Sequence, residues 1–267
     1  MAFYEQILLK KKFGQHFLTQ RWVVDHAIAR VELNHDSSVL EIGGGAGFLT
    51  RAILEQSIAR LWVFEIDPQW AKYLKTELAS DISRDRLQIH EQDFLQIDFK
   101  LLVQHQPWTV LANLPYNVSF PILESIIRHR HLFAEGVVMV QEEVAQKIVK
   151  TSGRGYGAIS LLFQYYCEWE LLDKIPPSAF NPPPKIFSRL IYFKPRQQVA
   201  PIPDEVAFWK FVRMCFKFPR RMLRNNLAQT HYDWQHLPEA TLLLRAQQMD
   251  MGNFLELWES IRLTKSV

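Results

Sequence analysis

Ser38-Val39-Leu40-Glu41-Ile42 is a largely apolar run of strand length, and Gly43-Gly44-Gly45-Ala46-Gly47 follows it without a gap. Phe48 to Leu54 comes next, with apolar positions recurring at helical spacing. Strand, glycine turn and helix in direct succession commit this stretch to a βα unit. Its turn brings backbone amides and a helix start close to a ligand. Further strand-like runs at about 61–65, 86–90, 108–112 and 136–141 alternate with helical stretches, which predicts a parallel sheet covered on both faces. Two more extended runs, Trp169 to Ile175 and Phe187 to Phe193, flank the proline-rich segment 176–184. So short a connection predicts an antiparallel pair closing one edge of the sheet.

The glycine spacing narrows the ligand. It reads G-x-G-x-G, with Phe48 where a dinucleotide fingerprint carries its last glycine, so a nucleoside cofactor fits better than a pyrophosphate. Leu61-Trp62-Val63-Phe64 ends in Glu65, about 20 residues past the glycine turn and placed to accept both ribose hydroxyls. The next run leads into Asp93, an acid able to take the amino group of an adenine. Singly, a glycine run is a turn and an acid at a strand end is a solvated cap. Together at successive strand C-termini they form a crevice of the kind in which open α/β sheets bind ligands.

Asn113-Leu114-Pro115-Tyr116 stands at the end of the fourth strand. An Asn oxygen, a backbone carbonyl beside a proline and an aromatic ring make a clamp for a planar exocyclic amine. Two acceptors on its hydrogens would draw the nitrogen toward a tetrahedral shape while the ring holds the base. The plain alternative for these four residues is a strand followed by a proline turn.

The formal net charge is +3 and hydrophobic residues make up 48%, the balance of a well-packed globular protein. The charge is unevenly spread. Lys10-Lys11-Lys12 are consecutive, and Lys210, Arg213, Lys217, Arg220, Arg221 and Arg224 recur at three- and four-residue steps between Val206 and Tyr232 with no acid among them. That spacing predicts a cationic helical face broken near Pro219, suited to a polyanion. Cys167 and Cys215 have neither metal-ligand spacing nor a disulfide framework. Met1 to Leu9 lacks the pattern of a signal peptide and no run has the length of a membrane span, which predicts a cytoplasmic protein without a membrane partner. Arg196 to Asp204, with Pro201 and Pro203, reads as a linker between a domain over 1–195 and a helical one over 196–267.

In these motifs the chain resembles the ribosomal RNA adenine N6-dimethyltransferase family, from about Lys11 to about Leu227. Phe13-Gly14-Gln15-His16-Phe17-Leu18, Glu41-Ile42-Gly43, Asn113 to Asn117 and Gln141 to Ala145 carry the resemblance. So do Tyr156-Gly157, Gln164 to Cys167, Pro176 to Phe180, Pro184-Lys185 and Arg220 to Leu227. The resemblance implies a seven-stranded, Rossmann-like class I methyltransferase sheet with a small C-terminal helical domain. It implies that S-adenosylmethionine is held by His16, Leu18, Gly43, Gly45, Glu65, Asp93 and Asn113. It implies further that Asn113, Leu114 and Tyr116 act on the target adenine, with Pro115 and Phe180 against the base. Lys217, Arg220, Arg221 and Arg224 would lie on the RNA. The implied substrate is two adjacent adenosines in the 3′-terminal stem-loop of 16S rRNA, reached in the assembling small subunit by a monomer that uses no metal. His16 stands where the family usually has Asn, Gly44 where it has Pro, Phe120 where Thr is common and Met222 in place of a Lys.

Two other readings share many of these features. A large-subunit (23S) adenine methyltransferase of the antibiotic-resistance type keeps the chemistry and changes the RNA. A non-catalytic assembly factor keeps the fold, yet has no use for Glu65, Asp93 and Asn113 to Tyr116. A nicotinamide oxidoreductase is disfavoured by the glycine spacing.

Overall fold

A computed structural model describes residues 16–262. The lysines at 10–12 and the start of the motif at 13–15 lie outside the described residues. The chain divides into two compact units, one of 1–145 with 168–195 and the other of 146–167 with 196–267.

The first unit holds strands β1 (Phe17–Leu18), β2 (Ser38–Ile42), β3 (Arg60–Glu65), β4 (Leu87–Glu91), β5 (Trp108–Asn113), β6 (Phe133–Gln141), β7 (Cys167–Ile175, its first residue counted with the second unit), β8 (Phe180–Asn181) and β9 (Ser188–Pro195). Seven of them form one sheet in the order β4-β3-β2-β5-β6-β9-β7. The five strands from β4 to β6 are parallel, and β9 runs antiparallel to β6. The fold is therefore the α/β, Rossmann-like arrangement that the alternation predicts, with β7 and β9 as hydrogen-bonded neighbours at one edge. Its inner strand β2 is largely apolar for a physical reason. β2 is buried along its whole length, as a parallel strand covered on both faces must be.

Helices α1 (Arg21–Ala29), α2 (Phe48–Leu54), α3 (Pro68–Glu77), α4 (Ala79–Ser83) and α5 (Ser119–Arg128) connect these strands. α3 starts at Asp67, whose side chain caps Gln69 N–H at 3.0 Å ahead of Pro68, a first-turn proline with no N–H to lose. Because the strand order reverses at β2, a crevice opens between β2 and β5 at the strands' C-terminal ends. β1 and β8 pair separately, Phe17 with Asn181 and Leu18 with Phe180.

α6 (Glu142–Val149) passes into the second unit, which holds α7 (Ala158–Tyr166), α8 (Glu205–Cys215), α9 (Leu223–Leu227), α10 (Glu239–Leu243) and α11 (Met251–Arg262). The linker reading put a single crossing near 196, but the stretch 146–167 also groups with the helices that follow that linker. Aromatic packing accounts for this. Tyr166 lies 5.9 Å from Trp209 between ring centroids, and its hydroxyl bonds Glu205 at 2.6 Å. Gln164 donates from Nε2 to the Ile148 and Lys150 carbonyls, at 2.7 Å each.

Candidate active site

β3, β4 and β5 are parallel and in register, so their C-terminal residues come to one edge of the sheet. A cleft of about 360 Å³ opens there, within the size range of small-molecule sites. Its walls bring together ten of the residues singled out from the sequence: His16, Leu18, Gly43, Gly45, Glu65, Asp93, Asn113, Leu114, Pro115 and Tyr116. Three carboxyls line it, Glu41, Glu65 and Asp93, and no described lysine or arginine does. That balance suits a cationic ligand.

The glycine turn forms the floor. Gly43, Gly45 and Gly47 have φ of 82°, 49° and 78°, the left-handed region that a Cβ disfavours. Arg51 braces the turn from behind, donating to the carbonyls of Ala46 at 2.8 Å and Gly47 at 3.1 Å. A Cβ at Gly44 would stand 2.6 Å from Val63 Cγ1 and 2.7 Å from Leu74 Cδ1, both buried, so these neighbours account for glycine where the family carries proline.

Glu65 is 5% exposed and accepts two backbone N–H bonds, from Gly45 at 2.7 Å and from Asp67 at 2.8 Å. Burial pushes its carboxyl above the usual range, and those two N–H groups oppose the push. Asp93 caps the short 3₁₀ turn Phe94–Gln96, accepting from Leu95 N–H at 2.9 Å. Glu41 is 1% exposed, and its Oε2 has no hydrogen-bond partner. Burial holds the Glu41 carboxyl well above its ordinary range. The Thr50 hydroxyl works against that shift and the nearby Glu65 charge adds to it.

Glu41→Gln is therefore a stability test. The folded-state pKa is raised, so the stability contributed by the neutral carboxyl is present at low pH and lost as pH rises through that value. Glutamine stays neutral throughout. The ligand-free variant should gain about 1–3 kcal/mol over wild type in urea unfolding at pH 8 and almost nothing at pH 4.

At the other wall Asn113 ends β5. Its Nδ2 donates to the His16 carbonyl at 3.3 Å, which leaves Oδ1 as the acceptor that can face the cleft. The Leu114 N–H is held by the Met139 carbonyl at 3.1 Å, and the Pro115 carbonyl accepts from Val118 N–H and Ser119 Oγ. Tyr116 stacks on the His16 ring at 5.6 Å between centroids, and its hydroxyl bonds Ser188 Oγ at 2.5 Å.

The remaining candidates lie outside the cleft. Phe180 does not line the cleft; it is 4% exposed and packs in the hydrophobic core beside Ile175 and Ala179, because its β8 position is paired to Leu18. Lys217, Arg220, Arg221 and Arg224 belong to the second unit, where all four are exposed along the segment from the end of α8 to α9. The break expected at Pro219 is there, in the stretch between those two helices.

A family model described as "Ribosomal RNA adenine dimethylase" matches residues 7–260. The chain belongs to the ribosomal RNA adenine dimethylase family. Among its relatives, "Ribosomal RNA small subunit methyltransferase A" of Chlorobium phaeobacteroides is 35% identical over 258 residues, covering 96% of this chain and 93% of the relative. The protein of the same name from Syntrophotalea carbinolica is 38% identical over 220 residues, 82% of this chain and 81% of the relative. In three dimensions the chain is similar to a dimethyladenosine transferase from Plasmodium falciparum, with a TM-score of 0.77, 22% identity and coverage of 92% and 97%. It is similar also to the 23S rRNA methyltransferase ErmE, at 0.70, 21% identity and coverage of 92% and 99%. Those two structures support the fold alone.

Beside the cleft, Ser188 is a residue that the sequence does not single out. It is fully buried on β9, 72 positions from its Tyr116 partner, and only strand pairing brings the two together. Ser188→Ala would leave the Tyr116 hydroxyl unpaired and the ring free to tilt. Turnover should fall about tenfold, with cofactor affinity changed by no more than about twofold. Steady-state kinetics beside calorimetric titration would check it, and an equal loss of cofactor affinity would count against a role in holding the base. In the second unit, Asn226 is also not singled out by the sequence for a role of its own. It is buried, and its amide grips Phe218 from both sides, accepting from N–H at 3.0 Å and donating to the carbonyl at 3.2 Å. That grip fixes the loop that presents Lys217, Arg220 and Arg221.

Proposed function

We propose that the protein dimethylates N6 of two adjacent adenosines in the 3′-terminal stem-loop of 16S rRNA, using S-adenosylmethionine, during assembly of the small ribosomal subunit. The observation that carries this reading is the meeting of Glu65, Asp93 and Asn113 in one cleft that has three carboxyls and no described cation. The relatives of 33–38% identity named for the small subunit favour that RNA over the large-subunit one. The 23S enzyme shares the fold at 21% identity, and a shared fold does not choose a substrate.

The residues suit the cofactor. Glu65 would take the ribose hydroxyls, Asp93 the adenine amino group, and the Gly43–Gly45 backbone and His16 the methionine end, with Leu18 packed alongside. Bound there, S-adenosylmethionine supplies an activated methyl group on a sulfonium. What is left to the protein is orientation and charge placement. Asn113 Oδ1 and the Leu114 carbonyl accept the amine hydrogens, Pro115 stiffens the turn, and Tyr116, pinned by Ser188, stacks on the ring. Phe180 would have to leave its core site to cover the other face. The base must be unpaired to enter, which suits an adenosine in an RNA loop. Lys217, Arg220, Arg221 and Arg224 would hold the RNA backbone, giving affinity that falls with salt.

The first unit is thus the catalytic one, and the second supplies the RNA contacts over 196–267. A cytoplasmic monomer meets these requirements. No described helix is long and apolar enough to cross a membrane, and no cluster of metal-ligating residues lies among the described ones.

The test is methyl transfer from tritiated S-adenosylmethionine to unmethylated small subunits, large subunits and protein-free 16S rRNA, followed by nucleoside analysis. N6,N6-dimethyladenosine on small subunits is the expected product. Label confined to large subunits would assign the resistance-type reaction. No label anywhere, with the cofactor bound, would leave a non-catalytic assembly factor.

A further inference from the structure

The chain from β8 to β9 is held at both ends. The Pro182 carbonyl accepts from His16 Nδ1 at 2.8 Å, and the Phe187 carbonyl accepts from Glu142 N–H at 3.0 Å. Between these ties Ile186 and Phe187 stand 43% and 45% exposed, two consecutive large apolar side chains in water. The next residue is Ser188, whose hydroxyl bonds Tyr116. Phe187 is therefore one step along the backbone from a wall of the cleft.

Successive side chains of extended backbone point to opposite sides. Ser188 turns to Tyr116 and Leu190 lines the cleft, which sends Phe187 to the outer side of the rim. There the Lys174 ammonium, from β7, stands over the Phe187 ring at 4.5 Å from its centroid, and Lys185 is exposed two residues earlier. The neighbouring acids have partners of their own. Asp173 bonds His26 at 3.2 Å, and Glu142 is held by two nitrogens of Arg189 at 2.8 and 2.9 Å. An aromatic ring partly in water, with an ammonium beside it, offers a base a flat surface and its phosphate a cation. Proteins hold single-stranded nucleic acid by that combination.

We propose that Phe187 and Lys174 form a stacking site for a nucleotide that flanks the target adenosine. The base lies on the Phe187 ring and the Lys174 ammonium meets the RNA backbone. The inference rests on the proposed function, which brings an unpaired adenosine to Tyr116, and it names a further part of the RNA that the same unit holds. Two exposed apolar side chains would also suit a protein partner, and the shape of the side chain separates the two occupants. Stacking needs a flat π surface. A hydrophobic contact needs only apolar area, which leucine supplies nearly as well.

The experiment measures the Kd for unmethylated small subunits by fluorescence anisotropy of the labelled protein, in wild type, Phe187→Tyr, Phe187→Leu and Lys174→Gln. Calorimetric titration with S-adenosylhomocysteine beside it checks that each variant is folded. Phe187→Tyr should bind subunits within about twofold of wild type and Phe187→Leu about tenfold more weakly, with affinity for S-adenosylhomocysteine unchanged in both. Lys174→Gln should reduce the slope of log Kd against log salt by about one. Leucine binding as well as phenylalanine would assign the patch to a hydrophobic contact and overturn the proposal, and so would an equal loss in Phe187→Tyr and Phe187→Leu. Methyl transfer to the same subunits by wild type reports on the proposed function separately. Label there, with all four proteins binding alike, would overturn the stacking site alone. If wild type does not bind small subunits at all, the proposed function and the stacking site fall together.

Discussion

Asn113→Ala is expected to lower methyl transfer by about two to three orders of magnitude while leaving RNA affinity almost unchanged. Removing one pre-positioned polar group from a reacting centre has effects of about that size. The geometry says why transfer should suffer alone. β5 is held by backbone pairing, Asn113 opposite Met139, so truncating the side chain leaves the strand in place. What disappears is the Oδ1 acceptor, together with the Nδ2 bond that fixes its direction by holding the His16 carbonyl. The amine then keeps one acceptor of two, and its lone pair remains delocalised in the ring. Single-turnover transfer, measured beside RNA binding by filter retention, separates these effects. A parallel loss of both would place Asn113 in RNA docking instead of in chemistry.

How much of this site can be read from the sequence depends on what each residue does there. Gly43, Glu65, Asp93 and Asn113 are legible because a parallel sheet puts strand C-termini at one edge, so a run of strand, glycine and acid encodes a location as well as a shape. Ser188 and Arg51 are not legible in this way. Each supports the site through a partner fixed only in three dimensions, and a serine beginning a strand or an arginine in a helix looks like any other. Phe180 is a different case. Its role follows from resemblance, yet pairing of β8 with β1 turns its ring into the core. The domain boundary is legible on one side only. The prolines at 201 and 203 mark the linker, while nothing in 146–167 signals that Tyr165 and Tyr166 pack on Trp209. The two-residue strands β1 and β8 are too short for any periodicity to announce them.

Glu65 gives the second large effect, and its two obvious variants should behave differently. Both carboxylate oxygens already hold backbone N–H groups, Gly45 on one and Asp67 on the other, and each keeps a further lone pair for a ribose hydroxyl. Glu65→Ala strands both N–H groups in a buried site, at about 1–3 kcal/mol each, and loosens the glycine turn from the end of β3. Cofactor affinity should drop by about 10²–10³-fold, a loss of some 3–4 kcal/mol. Glu65→Gln keeps one acceptor, places an amide against one of the N–H donors, and should lose about tenfold to a hundredfold. The variants also differ from wild type in pH response. Burial raises the Glu65 carboxyl, so its neutral form persists to higher pH than an ordinary glutamate's. As pH falls through that raised value wild type gives up an acceptor, and its affinity for S-adenosylhomocysteine should decline. Glutamine has no proton to gain, so the gap between wild type and Glu65→Gln should be wide at pH 8 and narrow toward pH 5. Calorimetry with S-adenosylhomocysteine, which carries no sulfonium charge, measures that gap. A gap that stays constant with pH would mean that the ribose is held by some other group, and that Glu65 serves only to tie Gly45 to Asp67.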